Sequence, residues 1–195
     1  NANLAGYPYD PTKAKELLQA AGYRPTRKLR LWQSKSTGIL KLMQSIQSDL
    51  KAVGISTEIV QGDWRDLDKA IASDSADAAY TSWWADYPDA ENFLYPVFHS
   101  ANFGDAGNRA RYANPALDRL LESARVTDGE AERLAQYTAI EKKIVEEAPW
   151  VFLWHTKTTA AVQPWVKAYV LHPIYNGNKM LNVWLDQAAR EAALR

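Results

Sequence analysis

Apolar residues recur along the first half of the chain at two alternating periods. Ala14, Leu17, Leu18 and Ala21 fall at i, i+3, i+4 and i+7, which is one stripe of a helix. Asp10 is a good N-cap, Pro11 suits the first helical position, and Gly22 can close the helix in the left-handed region. Pro25 keeps the following residues extended, and Leu29 and Leu31 alternate with Arg30 and Trp32 as in a strand. After a turn over residues 34–38, Ile39, Leu42, Met43, Ile46, Leu50 and Val53 share a second helical face that Gly54 ends. Residues 55–60 are rich in β-branched side chains and predict a second strand. Asp63 can cap a third, shorter helix with Trp64, Leu67, Ala70 and Ile71 inward, and residues 76–83 predict a third strand.

Strands alternating with helices of this length predict right-handed crossovers, hence the α/β class with a mostly parallel sheet flanked by helices. In open sheets of that kind ligands lie beyond the carboxyl ends of the strands. That rule singles out Trp83-Trp84-Ala85-Asp86-Tyr87-Pro88-Asp89. The chain there leaves the third predicted strand through paired indoles, meets Asp86 in a Tyr-Pro turn and restarts as a helix. The residues alone leave two readings open. One is a buried strand end followed by Asp89 as N-cap of a helix starting near Ala90. The other is a carboxylate set among aromatic rings at the mouth of a cleft.

The second half is less regular. Residues 100–114 form a loop long enough to be functional or mobile, with Gly104, Gly107 and several Asn and Asp. Asn114-Pro115 starts a helix with Leu117, Leu120, Leu121 and Ala124 inward, and Asp128-Gly129 breaks it. A longer helix follows with Leu134, Tyr137, Ile140 and Ile144 on one face, ending before Pro149. Residues 150–154 and 158–162 predict two further strands, and residues 185–194 a short terminal helix. Pro164, Pro173 and Asn176-Gly177 interrupt every period between them.

Composition narrows the chemistry. The 195 residues suffice for one domain or little more, and 47% hydrophobic with 24% charged residues describes a globular protein. The 23 basic and 23 acidic side chains cancel, which argues against nucleic acid or an anionic membrane surface as a broad electrostatic partner. The lack of cysteine excludes disulfides, thiolate catalysis and zinc-cysteine sites. Eight tryptophans and ten tyrosines supply rigid amphipathic rings, useful both to a core and to a ligand site. The chain opens at Asn1 rather than at methionine, and is expected to be a piece of something longer.

Five stretches, in order, resemble the family 5 extracytoplasmic solute-binding proteins, the peptide- and nickel-type receptors of ABC importers. They are YDPTKAKELLQAAGY at 9–23; Val53-Gly54-Ile55 followed by a strand and Asp63-Trp64; WWADYPDAENFL at 83–94; RYANPALDRLL at 111–121 running into Ala124-Arg125; and EEAPWVFLWH at 146–155. The resemblance implies a lobe like those of type II periplasmic binding proteins, which close on a solute as a hinged clamp. It implies that residues 1–164 are the C-terminal ligand-binding lobe and that residues 165–195 return towards a missing N-terminal lobe. The implied partners are a small solute, above all a peptide, and an ABC permease; the implied place is the periplasmic or outer face of a bacterial membrane. No catalysis and no cofactor are implied. In peptide-binding members an aspartate three residues after a tryptophan pairs with the ligand's α-amino group. That pattern falls here on Trp83 and Asp86, with Trp84, Tyr87 and Phe93 as further pocket candidates. Lys35, after the first strand, matches the place where dipeptide-type members carry a basic residue. No arginine lies between Asp66 and Tyr80, where some oligopeptide binders have one.

Other chemistries stay in view. Asp86 with Asp89, or with Glu91, could form the carboxylate pair of a glycoside hydrolase, although Asp89 and Glu91 also suit a helix N-terminus. His99, His155 and His172 are too far apart in sequence for a helical metal motif. Relatives binding nickel chelates, haem or sugars form the alternative within the family.

Overall fold

The computed structural model describes residues 4–172, 174 and 180–194. Its element order is α1 (Pro11–Ala20), β1 (Leu29–Ser34), α2 (Thr37–Ala52), β2 (Thr57–Gly62), α3 (Trp64–Ala72), β3 (Ala78–Ala79), α4 (Glu91–Phe98), α5 (Pro115–Arg125), α6 (Glu130–Glu147), β4 (Val166–Lys167), β5 (Trp184–Leu185) and α7 (Gln187–Ala193). The helix starts follow the sequence signals. The Asp10 carboxylate accepts the Lys13 N–H at 2.8 Å. Asp63 and Asp66 form a reciprocal capping box. Asn114 Oδ1 accepts from Ala116 and Leu117, with Pro115 at the first helical position.

The principal sheet has the order β2-β1-β3 and is parallel throughout. β1 pairs with β2 from Leu29↔Thr57 to Ser34↔Gly62, and with β3 at Leu31↔Ala78 and Trp32↔Ala79. After β2 the chain therefore crosses back over β1, so a switch point opens between the carboxyl ends of β1 and β3. The α/β class and the parallel sheet are as the periodicity predicts.

Two layers of packing hold this edge in place. Leu31 of β1, Met43 of α2, and Leu67 and Ala70 of α3 are buried around the sheet. A second, helical core joins Val97 and Phe98 of α4, Leu117, Leu121 and Ala124 of α5, and Tyr137, Ile140 and Ile144 of α6. Trp83, Leu94, Tyr95, Tyr112 and Trp150 pack against it. Trp83 thus ties the strand that leaves the sheet to the helical half.

Several predicted features differ. The third strand is far shorter than 76–83: its ladder covers Ala78–Ala79, flanked by bonds from Asp77 N–H to Arg30 O at 3.1 Å and from Tyr80 N–H to Trp32 O at 2.8 Å. The chain then turns away because the Trp83 indole is held by α4. Residues 150–154 and 158–162 form no strand, and among the described residues they join no ladder. Their β-propensity has no ladder to join, although Trp150 and Phe152 pack on the Phe98 ring at 5.6 and 6.3 Å. Trp64, Leu120 and Leu134, expected inward, lie exposed on the flanks of their helices, and no residue of α1 is buried. The short antiparallel pair β4–β5 lies where the sequence pattern predicts no strand. Asn176 and Gly177 lie outside the described residues.

The loop over 100–114 is well fastened rather than loose. Two 3₁₀ turns, Ser100–Asn102 and Gly104–Ala106, build it. Buried Asn108 donates to His99 O and Tyr112 O, and Arg111 bonds to Ala72 O and Asp74. Arg109 lies over the Trp64 ring at 5.2 Å, which fixes the loop to α3 and explains why that indole stays outside. Among the described residues no helix is long and apolar enough to cross a membrane.

Candidate functional site

Lys35, the first residue after β1, and the segment that follows β3 both lie at the carboxyl edge of the sheet. The Lys35 N–H donates to Gly62 O at 3.0 Å, continuing the β1–β2 ladder, and the side chain is exposed.

Beyond β3 the chain is organised by the first turn of α4. Three carboxylates stand close in sequence, and the fold treats them differently. Asp89 accepts the Glu91 N–H at 2.7 Å and takes a bidentate pair from Arg133 of α6, both bonds at 2.8 Å. The Arg133 guanidinium holds its carboxyl below the usual aspartate range. Glu91 pairs with Arg125 Nε of α5 at 3.0 Å and accepts the Tyr87 hydroxyl, a bond that pushes the Tyr87 phenol up. Arg125 in turn lies 3.9 Å over the Tyr95 ring. Asp86 alone of the three has no cation: its carboxylate is exposed, and no ion pair reaches it among the described residues.

Asp89 therefore works at the start of α4 as expected, although the residue at the cap position itself is Ala90. With Asp89 and Glu91 each committed to an arginine, neither is a free second carboxylate for a hydrolase pair with Asp86.

Trp83 is half-buried, and its indole N–H donates to Asn92 O at 2.6 Å. The Asp86 N–H donates to Asn92 Oδ1 at 2.8 Å. One residue, itself only 5% exposed, thus holds both ends of the turn. Asn92 was legible in the sequence only as part of a motif; an Asn at the second position of a helix gives no sign that it reaches back nine residues. Trp84, Tyr87 and Phe93 are 54%, 46% and 45% exposed. The structure therefore ties Trp83, Asp86 and Tyr87 to one helical turn, sets Phe93 on that turn, and leaves Trp84 as a half-exposed ring beside them. Lys35 belongs to another part of the same edge and bonds to none of them.

The histidines do not converge. His99 is buried: Nδ1 accepts the Ala101 N–H at 3.1 Å and Nε2 faces Glu122 Oε1 at 3.3 Å. His155 and His172 are exposed. Among the described residues, no three His, Asp or Glu side chains are grouped to hold a metal.

Comparison with known proteins bears on the whole arrangement. The family model described as "Bacterial extracellular solute-binding proteins, family 5 Middle" matches residues 1–105. Di/tripeptide-binding protein 2 of Pseudomonas aeruginosa is 32% identical over 176 residues, 88% of this chain and 33% of that protein. Heme-binding protein A of Haemophilus influenzae is 32% identical over 178 residues, 89% of this chain and 32% of that protein. Among solved structures, the periplasmic binding protein DppA of Helicobacter pylori, in complex with the peptide STSA, superposes with a TM-score of 0.76 at 29% identity, over 95% of this chain and 36% of that one. The oligopeptide-binding protein AppA of Bacillus subtilis, at 22% identity, shares the fold with a TM-score of 0.78. This chain spans about a third of the length of the curated relatives it matches. The family is made of solute-binding proteins rather than enzymes, its relatives include periplasmic members, and this chain, with its type II periplasmic-binding-protein fold, belongs to the bacterial extracellular solute-binding proteins of family 5.

Proposed function

We propose that this chain is the C-terminal lobe of a two-lobed receptor that delivers peptides, or similar amine-bearing solutes, to an ABC permease from the periplasmic or outer face of a bacterial membrane. Residues 1–164 form the ligand-binding lobe, and residues 165–195 run back towards the other lobe. The chain catalyses nothing; its work is to hold a solute until the lobes close and present the closed form. Asp86 is the charge anchor for the ligand ammonium. Trp83 walls the anchor off from water, and Trp84, Tyr87 and Phe93 line the approach. Lys35 is the candidate partner for a ligand carboxylate.

One observation carries this reading. Three carboxylates crowd the start of α4, and the protein's own arginines neutralise two of them, leaving Asp86 for an external cation. A buried ammonium needs an ionised partner, or its desolvation goes uncompensated. The exposed apolar run of Val151, Phe152, Leu153 and Trp154 supports a second lobe, because a half-molecule leaves such surface uncovered.

The test uses the native polypeptide that carries this chain, since one lobe offers half a cleft. Its melting temperature is followed with di- and tripeptides bearing free or acetylated amino termini, and with haem. Free peptides are expected to raise it and acetylated ones not, and Asp86→Asn should cost roughly 2–5 kcal/mol of affinity for the free forms, the range for breaking a buried charge pair. Equal affinity in variant and wild type overturns the role of Asp86. A response to haem alone, the ligand class named for the Haemophilus relative, keeps the family and discards the amine reading.

A further inference from the structure

We propose that Pro96 is a positioning residue for the ligand site, acting through the Asn92 carbonyl on Trp83. The proposal rests on the peptide reading above for its effect on affinity, and on geometry alone for its effect on Trp83.

Pro96 lies inside α4, four residues after Asn92. In a regular helix the N–H at that position would donate to the Asn92 carbonyl. Proline has no N–H, and its ring pushes against the carbonyl four residues back. The Asn92 oxygen is thereby left short of its helical donor, close to the ligand edge. The Trp83 indole supplies a donor at 2.6 Å. An indole N–H is the single donor of a large flat ring, so this bond restrains where the ring sits. The same residue's side chain accepts the Asp86 N–H at 2.8 Å. The missing N–H at Pro96 therefore sets Trp83 on the residue that also sets Asp86, so the ring and the carboxylate keep one spacing.

A helix-breaking residue within an eight-residue helix is otherwise unfavourable, since proline lacks the N–H and crowds the preceding turn. Pro96 is half-buried, and the contact at its backbone does not involve the outer ring carbons. The tight approach at this point is between Gly107 and the Pro96 backbone oxygen: a Cβ at Gly107 would meet that oxygen at 2.5 Å. Pro96→Ala keeps the backbone oxygen and the Cβ, gains an N–H, and should leave the fold as stable or more so.

Two arms test this. In the native polypeptide carrying this chain, labelled at the indole nitrogens, the Trp83 signal is assigned by its loss in Trp83→Phe. Pro96→Ala should raise exchange of the Trp83 indole hydrogen with solvent by about tenfold, because the new N–H competes for the carbonyl; one hydrogen bond is worth about that factor. In the native polypeptide carrying the chain, Pro96→Ala should weaken a free-amino dipeptide by about tenfold without lowering the melting temperature. In a Trp83→Phe background, which has no indole N–H to hold, it should weaken binding no further. Unchanged indole exchange, or an equal further loss in the Trp83→Phe background, overturns the proposal. If Asp86→Asn leaves dipeptide affinity unchanged, the amine reading fails by itself, and the exchange arm still decides the role of Pro96.

Discussion

The two arginines at the α4 turn divide the acidic residues into structural and available ones, and Arg133→Leu tests that division. Arg133 makes two bonds of 2.8 Å to Asp89, a third of 3.2 Å from Nε to Ala124 O, and lies 4.8 Å over the Tyr137 ring. The pair is neither surface nor core: the side chains of Arg133 and Asp89 are 27% and 31% exposed. A surface ion pair is worth up to ~1 kcal/mol, and breaking a buried one costs ~3–5 kcal/mol. For this half-exposed, bidentate pair the expected cost is about 2 kcal/mol, after allowing for solvent screening. With a urea dependence near 2.5 kcal/mol per molar, the unfolding midpoint falls by about 0.8 M. A double-mutant cycle with Asp89→Asn should give a coupling of about 1 kcal/mol.

The pH dependence has a definite sign. The folded pKa of Asp89 lies below the unfolded value of about 3.9. Its share of stability is therefore fully present above that value and is lost as pH falls through the folded pKa. The gap between wild type and Asp89→Asn should stay constant above about pH 5 and close in stronger acid. A coupling under about 0.3 kcal/mol, within ordinary additivity error, or a gap that persists at low pH, refutes the claim that Arg133 and Asp89 neutralise each other.

Gly107→Ala should cost at least about 2 kcal/mol in urea unfolding, because φ is +136° and the added Cβ would meet Pro96 O at 2.5 Å. Leu121→Ala, at a fully buried site between α5 and α6, should cost about 2–5 kcal/mol by the same assay, with the spread set by how far the core relaxes. Asp77 accepts two bonds from Arg27, at 2.5 and 2.6 Å, and one from the Arg30 N–H at 2.7 Å, and Arg27 pulls its carboxyl down to about 2. Carboxyl-carbon NMR should find it ionised well below pH 3.8, and stability measured between pH 4 and 2 should fall less steeply in Asp77→Asn than in wild type.

What the sequence by itself determined was local. Helix starts at Asp10, Asp63 and Asn114 depend on a side chain bonding to the next turn, and those contacts lie within three residues. The parallel sheet followed from the alternation of two periods, because short crossovers leave few topologies to choose from. The carboxyl edge followed from the sheet and brought Asp86 and Trp83 into view as site candidates. Tertiary structure decided the rest. Residues 150–154 have the composition of a strand, but a strand is a matter of partners, and among the described residues none pairs with them. Trp64 falls on an inward period, yet Arg109, 45 positions on, comes to lie over its outer face. Asp86, Asp89 and Glu91 are alike in sequence. Only the approach of α5 and α6 assigns an arginine to two of them, and only the nine-residue reach from Trp83 to Asn92 makes the turn one unit. Contacts between distant positions depend on how whole elements pack, and no local pattern of residue types encodes that.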